Sequence, residues 1–163
     1  KGQVQPNPAT MGNAWFVNNV NIVPNADAEI AALNGLDVRN TAIVDTRFSA
    51  QIIDGLDNTN TKISLSDYKP NYLKYNSNST NDGIAIFSEI YYEKGWNAYV
   101  DGDLKPHFRA NYVLRGMKIP KGNHIIEFKF EPSTYKTGET ISLASSIILL
   151  LFLALVSFKE LKA

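Results

Sequence analysis

No cysteine occurs among the 163 residues. That absence excludes disulfide frameworks, thiolate nucleophiles and cysteine zinc sites, and it removes cysteine usage as a guide to compartment. Net charge is missing as well. Lys+Arg and Asp+Glu each total 16, so no basic excess marks the chain as a partner of nucleic acid. No repeat of solenoid or propeller period is present. His107 and His124 have no partner at metal-ligand spacing and read as structural or surface side chains on different strands. Asp101-Gly102-Asp103 offers only two carboxylates next to Lys105, which suits a hairpin better than a calcium loop. Glu89, Glu93, Asp101, Asp103, Glu127 and Glu131 are scattered, and no pair of them is singled out for acid-base work. The expectation is therefore no catalytic residue, no metal and no cofactor within this chain.

Long apolar runs are also scarce, and the mean hydropathy is −0.18. The exception lies near the end. From Ile141 to Phe158 the chain reads ISLASSIILLLFLALVSF, without a charge, and at 1.5 Å per residue such a helix reaches about 27 Å, near one hydrocarbon thickness. Ser142, Ser145, Ser146 and Ser157 are tolerable there because a hydroxyl can bond back to a carbonyl one turn earlier. A core helix of a soluble domain would show a polar stripe, whereas Ile147 to Leu153 is apolar at every angle. The expected partner is a lipid bilayer, contacted through Ile141 to Phe158. Lys159 and Lys162 follow the run, and the positive-inside rule then puts that end in the cytoplasm and the globular part outside.

The rest of the chain is patterned for β structure. Lys1 to Pro8 reads as extended linker, the kind of stretch found where a piece has been taken from a longer protein. Trp15-Phe16-Val17 and Asn21-Ile22-Val23 suggest two short strands. Pro24 and Asn25 start a helix of about ten residues that Gly35 stops, with Asp27 and Glu29 suited to the helix dipole and Ile30 and Leu33 as the buried face. Alternating runs follow at Thr41–Val44, Lys62–Leu65, Tyr72–Tyr75, Gly83–Ser88, Trp96–Val100, Tyr112–Met117 and His124–Phe130. Asp101-Gly102 and Lys121-Gly122-Asn123 are hairpin signals, and Asn76 to Gly83 reads as a polar loop. The expected fold class is mainly β: a jelly-roll-like β-sandwich with one short soluble helix and a C-terminal transmembrane helix. The expected domains are a linker over 1–13, an extracytoplasmic sandwich over 14–139, a transmembrane helix over 140–158 and a cytoplasmic tail over 159–163.

Several motifs occur together in order. Tyr91-Tyr92 precedes Gly95-Trp96 and Asp101-Gly102; Arg109 and Asn111-Tyr112 precede Arg115; Pro120-Lys121-Gly122-Asn123-His124 leads toward the apolar helix. With Gly12-Asn13-Ala14-Trp15-Phe16 at the start, nearly the whole chain resembles the C-terminal region of the YfhO family of bacterial membrane proteins. The resemblance implies a polytopic protein of the bacterial cytoplasmic membrane, similar to multi-helix glycosyltransferases that use polyprenyl-phosphate sugars. It further implies that the catalytic machinery lies in helices outside this chain, and that those helices are partners of the present domain.

Five residues are candidate ligand contacts. The rings of Tyr92 and Trp96 could form a carbohydrate platform, although Trp96 shares a strand face with Ala98 and Val100 and reads first as core, which leaves Tyr92 the more open to a surface role. Arg109 and Arg115, with Asn111 between them, could grip the phosphate of a lipid-linked sugar, or form structural pairs with Asp101 or Glu127. Two functions are compatible with this pattern: an accessory domain that assists lipid-linked sugar transfer to cell-envelope glycans by binding or positioning, and a non-catalytic structural or assembly module with no ligand.

Overall fold

The computed structural model describes Asn7 and residues 10–160. The chain divides into two compact units, Lys1–Phe130 and Glu131–Ala163. Of the linker expected over 1–13, Lys1–Pro6, Pro8 and Ala9 lie outside the described residues, as does Leu161-Lys162-Ala163 of the expected tail.

The first unit is mainly β. Its strands are β1 (Ala14–Val17), β2 (Asn19–Val23), β3 (Thr41–Asp45), β4 (Lys62–Lys69), β5 (Tyr72–Ser79), β6 (Gly83–Ile90), β7 (Trp96–Val100), β8 (Asp103–Lys105), β9 (Phe108–Ala110), β10 (Leu114–Ile119) and β11 (Gly122–Phe130). A four-stranded sheet runs β1-β6-β10-β9, and a five-stranded sheet runs β4-β5-β11-β7-β8. Every strand pairing in these two sheets is antiparallel. The core between them holds Phe16, Tyr75, Phe87, Met117, Ile126 and Phe128. A third layer closes the other face of the four-stranded sheet. It consists of β2 and β3, paired in parallel across α1 (Ala26–Ala31), and a 3₁₀ turn over Thr46–Gln51.

That third layer explains why β6 departs from alternation. Ala85 and Phe87 face the five-stranded sheet, while Ile84 and Ile86 face Val44 and its neighbours. All five residues from Gly83 to Phe87 are buried, so the strand reads as a continuous apolar run, as a strand covered on both faces must. The third layer also corrects the expected face of α1. Asn25 caps the helix, accepting from the Ala28 amide at 2.9 Å, but Ile30 is exposed and the buried side chain is Glu29.

Other boundaries moved. Residues Asn76–Ser79, expected in a loop, continue β5, because Ser77 and Ser79 are small enough to pack inward while Asn76 and Asn78 face out. Lys121-Gly122 carries the chain from one sheet to the other instead of closing a hairpin, since β10 and β11 belong to different sheets. Tyr112 and Val113 form a turn, and the strand begins at Leu114. His107 lies in the connection between β8 and β9, on no strand. Asp101-Gly102 is a two-residue hairpin, with φ of 52° and 90°, the positive values that a primed turn requires.

The second unit contains α2 (Ser133–Glu160). Within it Thr137–Lys159 is long and apolar enough to cross a membrane, and none of that stretch is buried. The Ser145 and Ser146 hydroxyls donate to the carbonyls of Ile141 and Ser142, both at 2.8 Å. Two polar groups of the span are thus satisfied within the helix itself, as a hydrocarbon environment demands.

Candidate functional site

Arg109 lies on β9 and is Cα partner of Arg115 on β10, yet the two guanidiniums take different partners. Arg109 donates through Nη2 and Nε to Glu29 Oε2, at 2.5 and 3.1 Å, and reaches Asp45 Oδ2 at 3.7 Å. Glu29 is 0% exposed, and its other oxygen accepts from the Tyr112 amide at 2.9 Å. Asn111, also buried, exchanges two bonds with Ile43, each 2.8 Å: its amide donates to the Ile43 carbonyl, and its Oδ1 accepts from the Ile43 amide. Asn111 and Tyr112 sit at φ of 49° and 69°, a left-handed turn that aims the Asn111 side chain and the Tyr112 amide at the third layer. Arg109, Asn111 and Tyr112 therefore fasten α1 and β3 to the edge of the four-stranded sheet. The arginine-x-asparagine-tyrosine motif is a lock, with Glu29 as the keeper that sequence reasoning assigned only to the helix dipole.

Arg115 is 2% exposed. Its guanidinium lies 4.2 Å from the Trp96 ring and 5.1 Å from that of Phe128, and its Nε donates to the Ile90 carbonyl at 2.9 Å. Cation–π contact on both rings replaces the carboxylate expected for a structural pair. Two more polar groups flank the same Phe128 ring: Tyr75 at 6.2 Å and His107 at 5.8 Å between centroids. Burial, with the Arg115 charge adding to it, pushes His107 down to about 4, and burial pushes the Tyr75 hydroxyl up. Arg115 Nη1, Tyr75 Oη and His107 Nε2 are buried without a hydrogen-bond partner.

The remaining histidine has partners on both ring nitrogens. His124 Nδ1 lies 2.5 Å from Asp101 Oδ2, and Nε2 lies 2.9 Å from the Lys121 carbonyl. Both facing atoms are acceptors, so the ring satisfies them fully only as an imidazolium. Its pKa is raised, first by the Asp101 bond, and Asp101 is held low by the Ile125 amide and by His124. Asp101 is therefore the partner of His124 and not of an arginine.

Of the five candidate residues, the structure brings Trp96 and Arg115 together and places Arg109 and Asn111 in the lock. Tyr92 stands apart, 52% exposed in the loop between β6 and β7. Of the other four, Asn111 and Arg115 are buried, and Arg109 and Trp96 are partly buried.

An open surface lies on the five-stranded sheet. Along β5 the buried Leu73, Tyr75, Ser77 and Ser79 alternate with Tyr72, Lys74, Asn76 and Asn78, which face away from the core. The same outer face carries Tyr99 on β7 and Asn123, Glu127 and Lys129 on β11 by register. The Tyr72 hydroxyl donates to Glu127 Oε1 at 2.5 Å, which pushes Tyr72 up to about 12 and holds Glu127 low. Lys129 Nζ lies 4.8 Å from the Tyr99 ring centre and 3.4 Å from Glu127 Oε2, and Asn78 donates to Asn123 at 2.5 Å. Strand alternation alone could have picked out this face, because Tyr72, Lys74 and Asn76 fall at period two.

A family model described as "Bacterial membrane protein YfhO" matches residues 36–142. The protein named "Uncharacterized protein YfhO" from Bacillus subtilis (strain 168) is 26% identical over 117 residues, covering 72% of this chain and 14% of that protein. The chain thus spans a small part of that relative's length. No solved structure matches. With more than half of its length matched by the model, and with one helix apolar and long enough to span a bilayer, the chain belongs to the YfhO family of bacterial membrane proteins.

Proposed function

We propose that this chain is the extracytoplasmic accessory module, with its anchoring helix, of a longer cytoplasmic-membrane protein that moves sugar from a lipid carrier to cell-envelope glycans. The module binds or positions the glycan and leaves the chemistry to the other helices. The observation that carries this reading is the outer face of the five-stranded sheet, where Tyr72 and Tyr99 rings lie among the amides of Asn76, Asn78 and Asn123 and the charges of Lys74, Glu127 and Lys129. Flat rings pack on sugar faces, and amides with charged tips bond to hydroxyls. Orientation is supported by Lys159 after the span.

A second reading, a structural or assembly module with no ligand, is favoured by the commitment of Arg109, Asn111 and Arg115 to internal contacts. One experiment separates the two. The pair Tyr99→Ala and Asn76→Ala, introduced into the full-length parent, changes envelope glycan composition while leaving protein level intact if the face handles glycan. An unchanged glycan profile at normal protein level leaves the structural reading.

A further inference from the structure

The two ends of the sandwich differ in chemistry. At one end lie the turns Thr80–Asp82, Asp101-Gly102 and Pro120-Lys121, rich in charge and amides. The opposite end is where β11 finishes at Phe130 and the chain leaves toward α2, and there large apolar side chains stand exposed beside the charges of Lys69, Glu93 and Lys94. Ile90 is 71% exposed, Tyr92 52% and Val113 47%, with Tyr112 partly exposed beside them. They lie at the end of β6 and in the two loops that follow β6 and precede β10, joined by the Tyr91 amide, which donates to the Val113 carbonyl at 2.8 Å. That both loops lie at the exit end follows from register: Leu114 pairs with Ile90, Trp96 pairs with Phe130, and Arg115 bridges the sheets from the Ile90 carbonyl to the Trp96 ring.

The geometry points to this rim as a lipid-surface docking site: Ile90, Tyr92, Tyr112 and Val113 insert at the headgroup boundary of the bilayer that α2 crosses. The length of chain argues for that occupant. Phe130 and Thr137, where the apolar stretch begins, are seven residue steps apart, at most about 25 Å even if fully extended. The exit end is thus tethered close to the membrane surface whatever path the connection takes. Exposed apolar patches of this kind mark interaction sites, and tyrosine suits the interface because its ring is apolar and its hydroxyl stays wet. Glu93 and Lys94 beside Tyr92 are exposed charges of opposite sign that balance one another, so the docking is driven by apolar contact and survives high salt.

The test uses the whole chain reconstituted in phosphatidylcholine vesicles. Because the chain has no cysteine, single cysteines carry a fluorophore cleanly at Ile90, Tyr92 or Val113, and at Asn81 or Lys121 on the far end. Replacing plain lipid with lipid that bears a nitroxide near the headgroup should quench the rim labels by roughly half or more and leave the far labels nearly unchanged, with or without salt. Tyr92→Cys serves if Val113→Cys disturbs folding, since its side chain points outward from a loop. Equal quenching at both ends, none at the rim, or quenching that needs anionic lipid and vanishes in salt would overturn the proposal, as would disulfide-linked dimers through Val113→Cys. The vesicles contain no saccharide, so the result stands or falls independently of the glycan reading.

Discussion

Arg109 and Glu29 stand 80 residues apart in the chain and meet in a buried pair. Removing one partner of such a pair strands the other as an uncompensated charge, which costs more than the pair contributes. Arg109→Ala should therefore lower stability by about 3–5 kcal/mol, whereas the double change Arg109→Met with Glu29→Leu should recover much of that loss. Urea unfolding of the whole chain in mild detergent, followed by tryptophan fluorescence, reads both. The arginine was visible in the sequence as a candidate, but its partner was not. A glutamate in the first turn of a helix is ordinarily a solvated dipole partner, and only the third layer puts Glu29 inside. The histidines pull stability in opposite directions. His107 is held near 4 by burial, so acidification below the unfolded value of about 6.5 charges the unfolded chain first and destabilises the fold as pH falls. His124 is raised by Asp101; its contribution is complete below about 6.5 and disappears as pH rises through its folded value. The deficit of His124→Gln against the native chain should accordingly shrink at alkaline pH, and His107→Phe should flatten the acid limb, both measured by thermal melts across pH.

At the scale of elements, the strand most telling of the architecture is β6. Its run Gly83-Ile84-Ala85-Ile86-Phe87 was legible as a strand, but an apolar run of that length cannot say by itself that two layers cover it. The third layer was hard to foresee because its pieces are short: β2 and β3 pair in parallel, α1 has six residues, and the 3₁₀ turn over Thr46–Gln51 carries no apolar period. Strands β8 and β9, three residues each, fall below what alternation can register. By contrast α2 was plain, since length and uninterrupted apolarity suffice. Gly116, on β10, pairs with Phe108 on β9, and the Phe108 ring lies over it so closely that a Cβ there would sit 2.3 Å from Cε2. Phe108 is fully buried and has nowhere to swing. Gly116→Ala should cost roughly 1–3 kcal/mol as overpacking, visible in the same urea titration, and the doubly changed chain Gly116→Ala with Phe108→Leu should regain part of it.

For the whole molecule, a β-rich unit with polar turns at one end and exposed apolar side chains at the other is joined to a helix long and apolar enough to cross a bilayer. Composition hides this division, because a balanced charge and a mean hydropathy of −0.18 average the two units. The motif run from Tyr91 to His124 marked the family, yet its residues proved to be largely what holds the sandwich together: the Arg109 lock, the Arg115 stack and the Asp101–His124 clamp. Such motifs identify a fold segment before they identify a ligand site. Of the residues on the outer face of the five-stranded sheet on which the proposed function rests, only Tyr99 and Asn123 belong to that run. The proposed function puts the sandwich on the envelope side of the membrane. Cells expressing the parent with a single cysteine at Asp103 or at Lys162 settle the matter when treated with a membrane-impermeant maleimide. Labelling of Asp103→Cys on intact cells, with Lys162→Cys reacting only after permeabilisation, is the predicted result; the reverse pattern would contradict it.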